Sequence, residues 1–480
     1  MDNIAAPFRV PAYAAPSILL DTLPIEIQDL IFHYVVLDSN PGELKRLRLS
    51  NRYFRDRADI YLFRTLHISA SNLSLDRVRK VAENDRLRVH VQELVYHRGT
   101  FSGHKMSQYG LSLKARDYGD FEEYMVRGQA GFRPAQSDLM RVSQCYAAFC
   151  EELEAESNFN RELSWRMSMK KNCSRFPKLE HLTTQWAYED LNSKYLRKRC
   201  GLTHQSATPN YFAPYEIFES CGPSFRPRVL SLEGVEGEDF AAIMTFIRGG
   251  VEAVKARFSE LRYLKLSFSE TVATLEVEGT YDVFIQACDN LRFLHLDFSS
   301  FTSLRLRKDP HCFPQRLIKI VLQRHFPRLS HLELKNAMMT ELDLIGFVHH
   351  HSRTLQTLSL DDWSMPVTSE GQATGSFIRT LWKLGKLPLN KSRTITLNGS
   401  FSNNKDNSGW NITHANTGRP SVASRVHSFL SGAEGHDFPF NITAEQIEKA
   451  TTSVQLVDLD MMPLRLGQKD NTFVWCTDAV

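Results

Sequence analysis

Apolar residues between positions 23 and 62 recur with the period of an α-helix. In the first stretch they follow the spacing i, i+3, i+4, i+7 and i+8: Ile27, Leu30, Ile31, Tyr34 and Val35. Pro24 and Glu26 suit a first helical turn, so the pattern predicts a helix that begins near Leu23. A turn-forming cluster at 38–42 separates it from a second apolar stretch at 44–62. Two or three short helices are therefore expected to pack together.

Further along the chain the pattern changes to short leucine-rich strands. The recurring signature is an apolar residue, two variable residues, a leucine, one variable residue and another apolar residue. The clear copies begin at Leu261, Leu291, Leu329 and Leu355, and the weaker copies begin at Phe63, Val91, Leu179 and Pro227. Segments with helical spacing lie between several of them, for example at 281–288, 317–325 and 342–350. The sequence therefore predicts an α/β fold of repeated strand–helix units.

Such units form a solenoid, because a strand with inward leucines is stabilised only by stacking on its neighbours. Parallel strands are expected on the concave face and helices on the convex face, and the alternate strand side chains would face outward together. The outward positions with recognition chemistry are the candidate target-binding residues: Tyr263, Lys265, Phe293, His295, Asp297, His331, Glu333 and Lys335. Alternatively, insertions or the C-terminal tail cover this face and the aromatic residues belong to the core.

Three short motifs in the first 66 residues carry a family resemblance. They are Leu23-Pro24-x-Glu26-Ile27-x-x-x-Ile31, then Leu47-x-Leu49-Ser50-Asn51-Arg52-x-Phe54-Arg55, then Tyr61-Leu62-Phe63-Arg64-Thr65-Leu66. Their order resembles an F-box, and with the repeats the chain resembles F-box proteins with irregular leucine-rich repeats. An Arg-Tyr-Phe-Arg run departs from the pattern, standing where many relatives carry a tryptophan.

The resemblance implies a substrate receptor of a Skp–cullin–F-box ubiquitin ligase. It implies binding to a Skp-type adaptor, and through that adaptor to a cullin scaffold, by six residues of the helical module: Leu23, Pro24, Ile27, Ile31, Leu49 and Phe54. Those groups would lie partly on the outer face of the helices. The alternative is a non-catalytic repeat scaffold whose N-terminal helices only cap the solenoid.

The patterns divide the chain into five parts: a flexible arm at 1–17, the F-box-like module at 18–62, the solenoid at 63–398, a mobile polar loop at 399–425 and a C-terminal cap at 426–480. A large insertion at about 100–172 interrupts the solenoid and carries an amphipathic run near 138–157. It is expected either to cover one edge of the solenoid or to form a second partner site. In the cap, 444–450 has helical character and 454–458 alternates like a strand.

Charge and cysteine usage bear on the partners and the location that can be expected for this protein. With 58 Lys and Arg against 55 Asp and Glu, the net charge of +3 gives no field that favours nucleic acid. Eight cysteines without a CxxC pair are typical of reduced thiols, so a cytoplasmic or nuclear location is expected. No run of 18 apolar residues is present and the first 20 residues do not resemble a secretory signal, so no membrane partner is expected.

No enzyme signature is recognisable in the sequence. Walker, GxGxxG, HExxH and GxSxG motifs are missing, so we expect a non-enzyme without a cofactor. A catalytic alternative would need clustered ionisable groups in a pocket. His349-His350-His351 are interpreted as surface residues rather than metal ligands, because adjacent helical histidines point apart. The basic cluster at 194–199 is either a solvated helix end or a nuclear import signal.

Overall fold

The computed structural model describes residues 23–38, 41–49, 52–69, 72–97, 105–106, 111–112, 164–185, 214–235, 250–268, 275–299, 313–366, 375–387, 394–403, 408–411, 422–430, 463–469 and 472–476, with a few isolated positions. Its helices are α1 Ile25–Asp38, α2 Pro41–Leu47, α3 Arg52–Leu62, α4 Asn72–Glu83, α5 Asp85–Arg88, α6 Ser164–Cys173, α7 Pro214–Ser220, α8 Gly250–Phe258, α9 Leu275–Gln286, α10 Phe313–Gln323, α11 Glu341–His350, α12 Phe377–Lys386 and α13 Val422–Leu430.

The strands of the described residues form three sheets. They are β1 Thr65–Ser69, β2 Glu93–His97, β3 Lys105–Met106, β4 Leu111–Ser112, β5 His181–Gln185, β6 Val229–Val235, β7 Tyr263–Phe268, β8 Phe293–Asp297, β9 His331–Lys335, β10 Thr357–Asp361, β11 Ser364–Met365, β12 Thr394–Asn398, β13 Ser400–Asn403, β14 Ser408–Asn411, β15 Pro463–Lys469 and β16 Thr472–Cys476. The main sheet has nine strands in the order β1-β2-β5-β6-β7-β8-β9-β10-β12, and every neighbouring pair is parallel.

The repeated leucines align across this sheet and form its core. Leu264, Leu294, Leu332 and Leu358 pair in register on four successive strands, and all four are buried. They join one continuous apolar cluster that also contains residues from the helices between the strands, such as Phe284 on α9. Because strand residues alternate between faces, the leucine face packs against the helices and the other positions form a polar face. The predicted α/β class and strand register are confirmed.

Helices connect the strands as the spacing predicted. The segments 281–288, 317–325 and 342–350 lie largely within α9, α10 and α11, and consecutive helices contact each other from α8 to α13. The sequence interpretation did not identify α6, α7 or α8. Parallel strands require a crossover connection, and these helices supply it between β2, β5, β6 and β7. With these connections the strands lie side by side in the order of the sequence. Side chains that are far apart in the sequence therefore form rows on the polar face.

The N-terminal helices form a separate small core. Phe32, Phe54 and Ala58 are its fully buried members, and the rings of Phe32 and Phe54 stack with their centroids 6.0 Å apart. Helix α1 begins at Ile25, two residues after Leu23, as the pattern predicted. The Pro24 carbonyl accepts hydrogen bonds from the N–H groups of Ile27 and Gln28, so Pro24 flanks the helix instead of starting it.

A buried carboxylate fixes this helical module to the first strand–helix unit. Asp59 on α3 is fully buried, and its two oxygens lie 2.6 Å from Arg48 Nε and 2.7 Å from Arg86 Nη2. Arg86 belongs to α5, which follows β1 and α4. A buried carboxylate requires such partners, because an unpaired charge in an apolar interior is costly. Asp59 therefore holds the module in a defined place on the body.

A second buried carboxylate joins the last helices. Glu341 at the start of α11 lies 2.8 Å from Arg379 Nη2 and 2.9 Å from Lys383 Nζ, and it accepts the Ser376 N–H at 3.0 Å. Burial acts to raise the pKa of Glu341, but these hydrogen bonds outweigh it and hold the pKa below its usual value. Gly375 permits the close approach, since a β-carbon there would lie 2.5 Å from the Glu341 β-carbon.

Several strands end in the same left-handed turn. The sixth position of β6, and the residue directly after β9, β10 and β12, all have positive φ: Gly234 at 63°, Asn336 at 52°, Asp362 at 53° and Gly399 at 75°. Glycine, asparagine and aspartate tolerate this conformation best. The Asn336 N–H donates to the Asp361 carbonyl at 2.7 Å, and the Asp362 N–H donates to the Asn398 carbonyl at 3.2 Å. The repeat unit therefore includes a stacked turn as well as a strand.

The structure corrects two sequence interpretations. The polar stretch at 399–425 was predicted to be a mobile loop, but β13 and β14 pair there as antiparallel strands and α13 begins at Val422. His351 was predicted to lie at the surface, but it is buried. The Phe326 N–H donates to its Nε2 at 2.9 Å, so its Nδ1 carries the proton and donates to the Phe347 carbonyl at 2.8 Å.

Other predicted segments fall largely outside the described residues. This holds for the arm at 1–17, most of the run at 138–157 and the C-terminal stretches at 444–450 and 454–458. In the C-terminal region the described strands are β15 and β16, which pair antiparallel and extend the sheet of β11, β13 and β14. Within the described part of the chain, no helix has the length and apolar character needed to cross a membrane.

Candidate docking surfaces

The helical module exposes an unusual number of large apolar side chains. On α1, Ile27, Leu30 and Tyr34 follow helical spacing. All exposed large apolar residues described in the module are Ile25, Ile27, Leu30, Tyr34, Leu49, Ile60 and Tyr61. We call the α1 members together with Leu49 the apolar module surface. Leu49 is 84% exposed and Ile27 is 43% exposed. Several large apolar groups exposed on one small module are what a protein-binding surface shows.

Three of the six predicted adaptor-binding residues, Pro24, Ile27 and Leu49, are exposed. Leu23 and Ile31 are partly buried. Phe54 was expected to lie partly on the outer face, but it is 2% exposed and packs in the module core. Helical periodicity cannot distinguish the two faces of so small a module, because both carry apolar residues.

The sequence interpretation also missed members of this surface. Ile25, Leu30 and Tyr34 are each more than half exposed, although Leu30 and Tyr34 belong to the predicted apolar stripe. Polar contacts behind the stripe hold α1 against α3: Arg57 Nη2 donates to Asp29 Oδ2 at 2.9 Å, and the Tyr53 hydroxyl also donates to Asp29. The stripe is therefore presented on a helix whose position is fixed.

The second candidate surface is the polar face of the nine-stranded sheet. Register pairing arranges its central strands into three rows: a first row of Val229, Tyr263, Phe293, His331, Thr357 and Thr394; a middle row of Ser231, Lys265, His295, Glu333, Ser359 and Thr396; and a third row of Ser267, Asp297, Lys335, Asp361 and Asn398. All eight predicted target-binding residues lie in these rows. The predicted common face is therefore confirmed, and their role in binding stays a prediction.

The first row contains stacked rings. The rings of Tyr263 and Phe293 are nearly parallel, with 6° between their planes and 4.4 Å between their centroids. His331 continues the stack at 5.9 Å from Phe293, and its Nδ1 lies 2.8 Å from the Ser330 hydroxyl. Burial raises the pKa of the Tyr263 phenol, with Lys265 opposing the shift. The half-buried rings form an apolar strip at the start of three adjacent strands.

Lys265 and His295 of the middle row each contact a glutamate on a neighbouring strand. Lys265 Nζ lies 3.0 Å from Glu233 Oε1, and His295 Nδ1 lies 2.9 Å from Glu333 Oε2. His295 is almost fully buried, whereas the Glu333 side chain is 41% exposed. Cross-strand pairs of opposite charge stabilise a sheet only modestly. Their main effect here is to engage Lys265 and His295 within the protein.

The third row is dominated by carboxylates. Asp297 and Asp361 flank Lys335 in register, and Asp362 follows directly after β10. Burial raises the pKa of Asp361, and the nearby charge of Asp362 adds to that shift, whereas Lys335 opposes it. Asp297 accepts the Ser299 N–H at 2.8 Å and also the Ser299 hydroxyl proton. The far end of the strands is therefore locally acidic.

The first strands carry a different polar network on the same sheet. Gln185 Nε2 lies 3.3 Å from His97 Nδ1, and since an amide nitrogen only donates, His97 Nε2 donates in turn to His67 Nδ1 at 2.9 Å. Glu93 joins Thr65 and Thr183 through hydrogen bonds of 2.9 and 3.3 Å. Sequence reasoning did not predict this network, because these strands carry weak copies of the repeat signature.

Among the described residues, no group of three or more His, Cys, Asp or Glu side chains is arranged to hold a metal ion. The fold and its two surfaces define the chain as an α/β protein built on a continuous parallel sheet. A scan against models of known protein families gives no match to this chain. A search of curated proteins gives no significant similarity either.

Proposed function

We propose that this protein is the substrate-recognition subunit of a Skp–cullin–F-box ubiquitin ligase. The observation that carries the proposal is the apolar module surface. A helical cap would bury its apolar stripe against the first repeat, whereas an F-box keeps part of that stripe exposed for the adaptor. Ile27, Leu30 and Tyr34 remain exposed on α1, which supports the second arrangement.

In this proposal, the module binds a Skp-type adaptor and, through it, a cullin scaffold. Pro24, Ile27 and Leu49 contact the adaptor directly, with Leu30 and Tyr34 added to the surface. Leu23 and Ile31 contribute at its edge. Phe54 positions the helices from inside the module core, where it stacks on Phe32.

The nine-stranded sheet then acts as a leucine-rich-repeat body that presents the target on its concave, polar face. The chain itself performs no chemistry. It holds a target near a ubiquitin-loaded enzyme supplied by other subunits, which makes their encounter effectively intramolecular. The buried Asp59 supports this role, since it fixes the module relative to the first strands and so sets the distance between adaptor and target.

The contact of Asp59 with Arg86 also favours the alternative, a scaffold whose helices only cap the repeats. A pull-down with a purified Skp-type adaptor separates the two functions. The test variant is Ile27→Asp with Leu49→Asp, which places charges on the apolar module surface. The matched control is Leu342→Asp, an equally drastic change at a residue on α11 that is 76% exposed.

The expected result is that the wild type and Leu342→Asp retain the adaptor, whereas the double variant loses it. Circular dichroism checks that all three proteins are folded. If the wild type does not bind, or if the double variant binds as well as the wild type, the ligase proposal fails. The scaffold function then takes its place.

A further inference from the structure

The polar face has two chemically distinct ends. The half-buried rings of Tyr263, Phe293 and His331 lie where the strands begin, and the carboxylates of Asp297 and Asp361 lie where they end. Four residues separate the two rows along each strand, which corresponds to about 13 Å. An extended peptide has the same rise per residue, so a segment of five residues reaches from one row to the other.

The charges on the polar face indicate which kind of peptide it would bind. In the middle row, Lys265 and His295 are already engaged by Glu233 and Glu333. In the third row, a single lysine stands between Asp297 and Asp361, with Asp362 beside them. Among the described residues at this end of the strands, carboxylates thus outnumber cations, although the whole chain carries a net charge of +3. The local charge is opposite in sign to that of the chain and complements a cationic partner.

The rings define the other requirement. Tyr263 and Phe293 stack on each other across adjacent strands, so their edges are what they offer to a ligand that lies on the sheet. Ring edges carry partial positive charge and attract the face of another aromatic ring. An aromatic side chain resting on this strip gains both apolar contact and an edge-to-face arrangement.

We propose that the polar face binds an extended polypeptide segment carrying an aromatic side chain and, about four residues away, a lysine or arginine. The aromatic side chain lies on the Tyr263–Phe293–His331 strip. The cation lies over the third row, where the Asp297 and Asp361 carboxylates stand on either side of Lys335. This inference names the chemistry of the target surface in the proposed function, and it does not depend on the identity of the adaptor.

The test measures binding of short labelled peptides to the full-length protein by fluorescence anisotropy. The probe is fluorescein-labelled Trp-Ser-Thr-Ser-Lys. Two matched peptides replace its lysine with glutamate or its tryptophan with alanine. The protein variant Asp297→Asn with Asp361→Asn removes the two flanking charges, and Glu252→Gln with Asp289→Asn removes two exposed charges from the helix side.

The probe is expected to bind the wild type about tenfold more tightly than it binds the Asp297/Asp361 variant. The helix-side variant should match the wild type, both altered peptides should bind more weakly, and added salt should weaken binding of the probe. No measurable binding at millimolar probe, equal binding of the glutamate peptide, or an unchanged affinity in the Asp297/Asp361 variant overturns the inference. The adaptor pull-down is unaffected by these results, so the two proposals fail separately.

Discussion

The helical module and the nine-stranded body use apolar residues in opposite ways. The body places its leucines in one continuous core and leaves a polar face. The described part of the module has a small core of Phe32, Phe54 and Ala58 and exposes several other large apolar side chains. A module with so little core gains stability from its contacts with the body, and its exposed stripe is available for a partner. The comparison teaches that apolar periodicity identifies an element without showing whether its apolar face is core or interface.

The largest expected effect separates the two regions directly. Leu294→Ala removes a fully buried side chain from the middle of the sheet and should lower the free energy of unfolding by about 2–5 kcal/mol. Leu49→Ala, at an exposed position of the module, should change it by no more than about 0.5 kcal/mol. Urea denaturation followed by circular dichroism measures both. Equal losses would show that Leu49 is covered in solution.

An intermediate effect is expected where the two regions meet. Asp59→Ala removes the buried carboxylate and leaves Arg48 and Arg86 without it, which should cost about 1–3 kcal/mol because both arginines retain partial solvent exposure. Hydrogen exchange should show faster exchange in α1–α3 than in the sheet. The control is Asp76→Ala, which removes an exposed ion pair with Arg79 and should have little effect. Uniform loss of protection across sheet and module would contradict a joint at Asp59.

The smallest expected effect is the pH dependence of stability that His351 gives to the nine-stranded body. Burial lowers the pKa of His351 below its usual value of about 6.5, so the unfolded chain binds a proton that the folded chain excludes. Stability should therefore be full above that value and fall as pH decreases towards the folded pKa, by at most about 1.4 kcal/mol per pH unit for one proton. His351→Gln should reduce this slope, and the exposed neighbour His349→Gln should not. Identical slopes in the two variants would exclude His351 as the cause.

The strand register could be predicted because it depends on a short-range pattern. A leucine at every second position determines which side chains share a face, and Tyr263, Phe293 and His331 followed from that rule. The buried charges could not be predicted, since Asp59 meets Arg86 and Glu341 meets Arg379 only after the chain has folded. His351 was misplaced for the same reason: its acceptor role depends on the distant Phe326 N–H.

The same limit applies to the candidate surfaces. Leu30 and Tyr34 belonged to the recognised stripe, yet their exposure depends on how α1 lies against α3 through Asp29. Phe54 was placed on the wrong side because no local signal distinguishes it from Leu49. The hairpin of β13 and β14 was missed because it is rich in polar residues, and such composition is typical of loops.

The strand order of the main sheet has a consequence for biosynthesis. Each strand pairs only with the strand that precedes or follows it among the sheet's members, so each pairing waits only for the next strand of the sheet. The body can therefore assemble from its N-terminal end while the ribosome is still adding later units. Each newly folded unit presents an edge on which the next one grows. A truncated product should accordingly stop as a shorter stack with native pairing, rather than as a collapsed fragment.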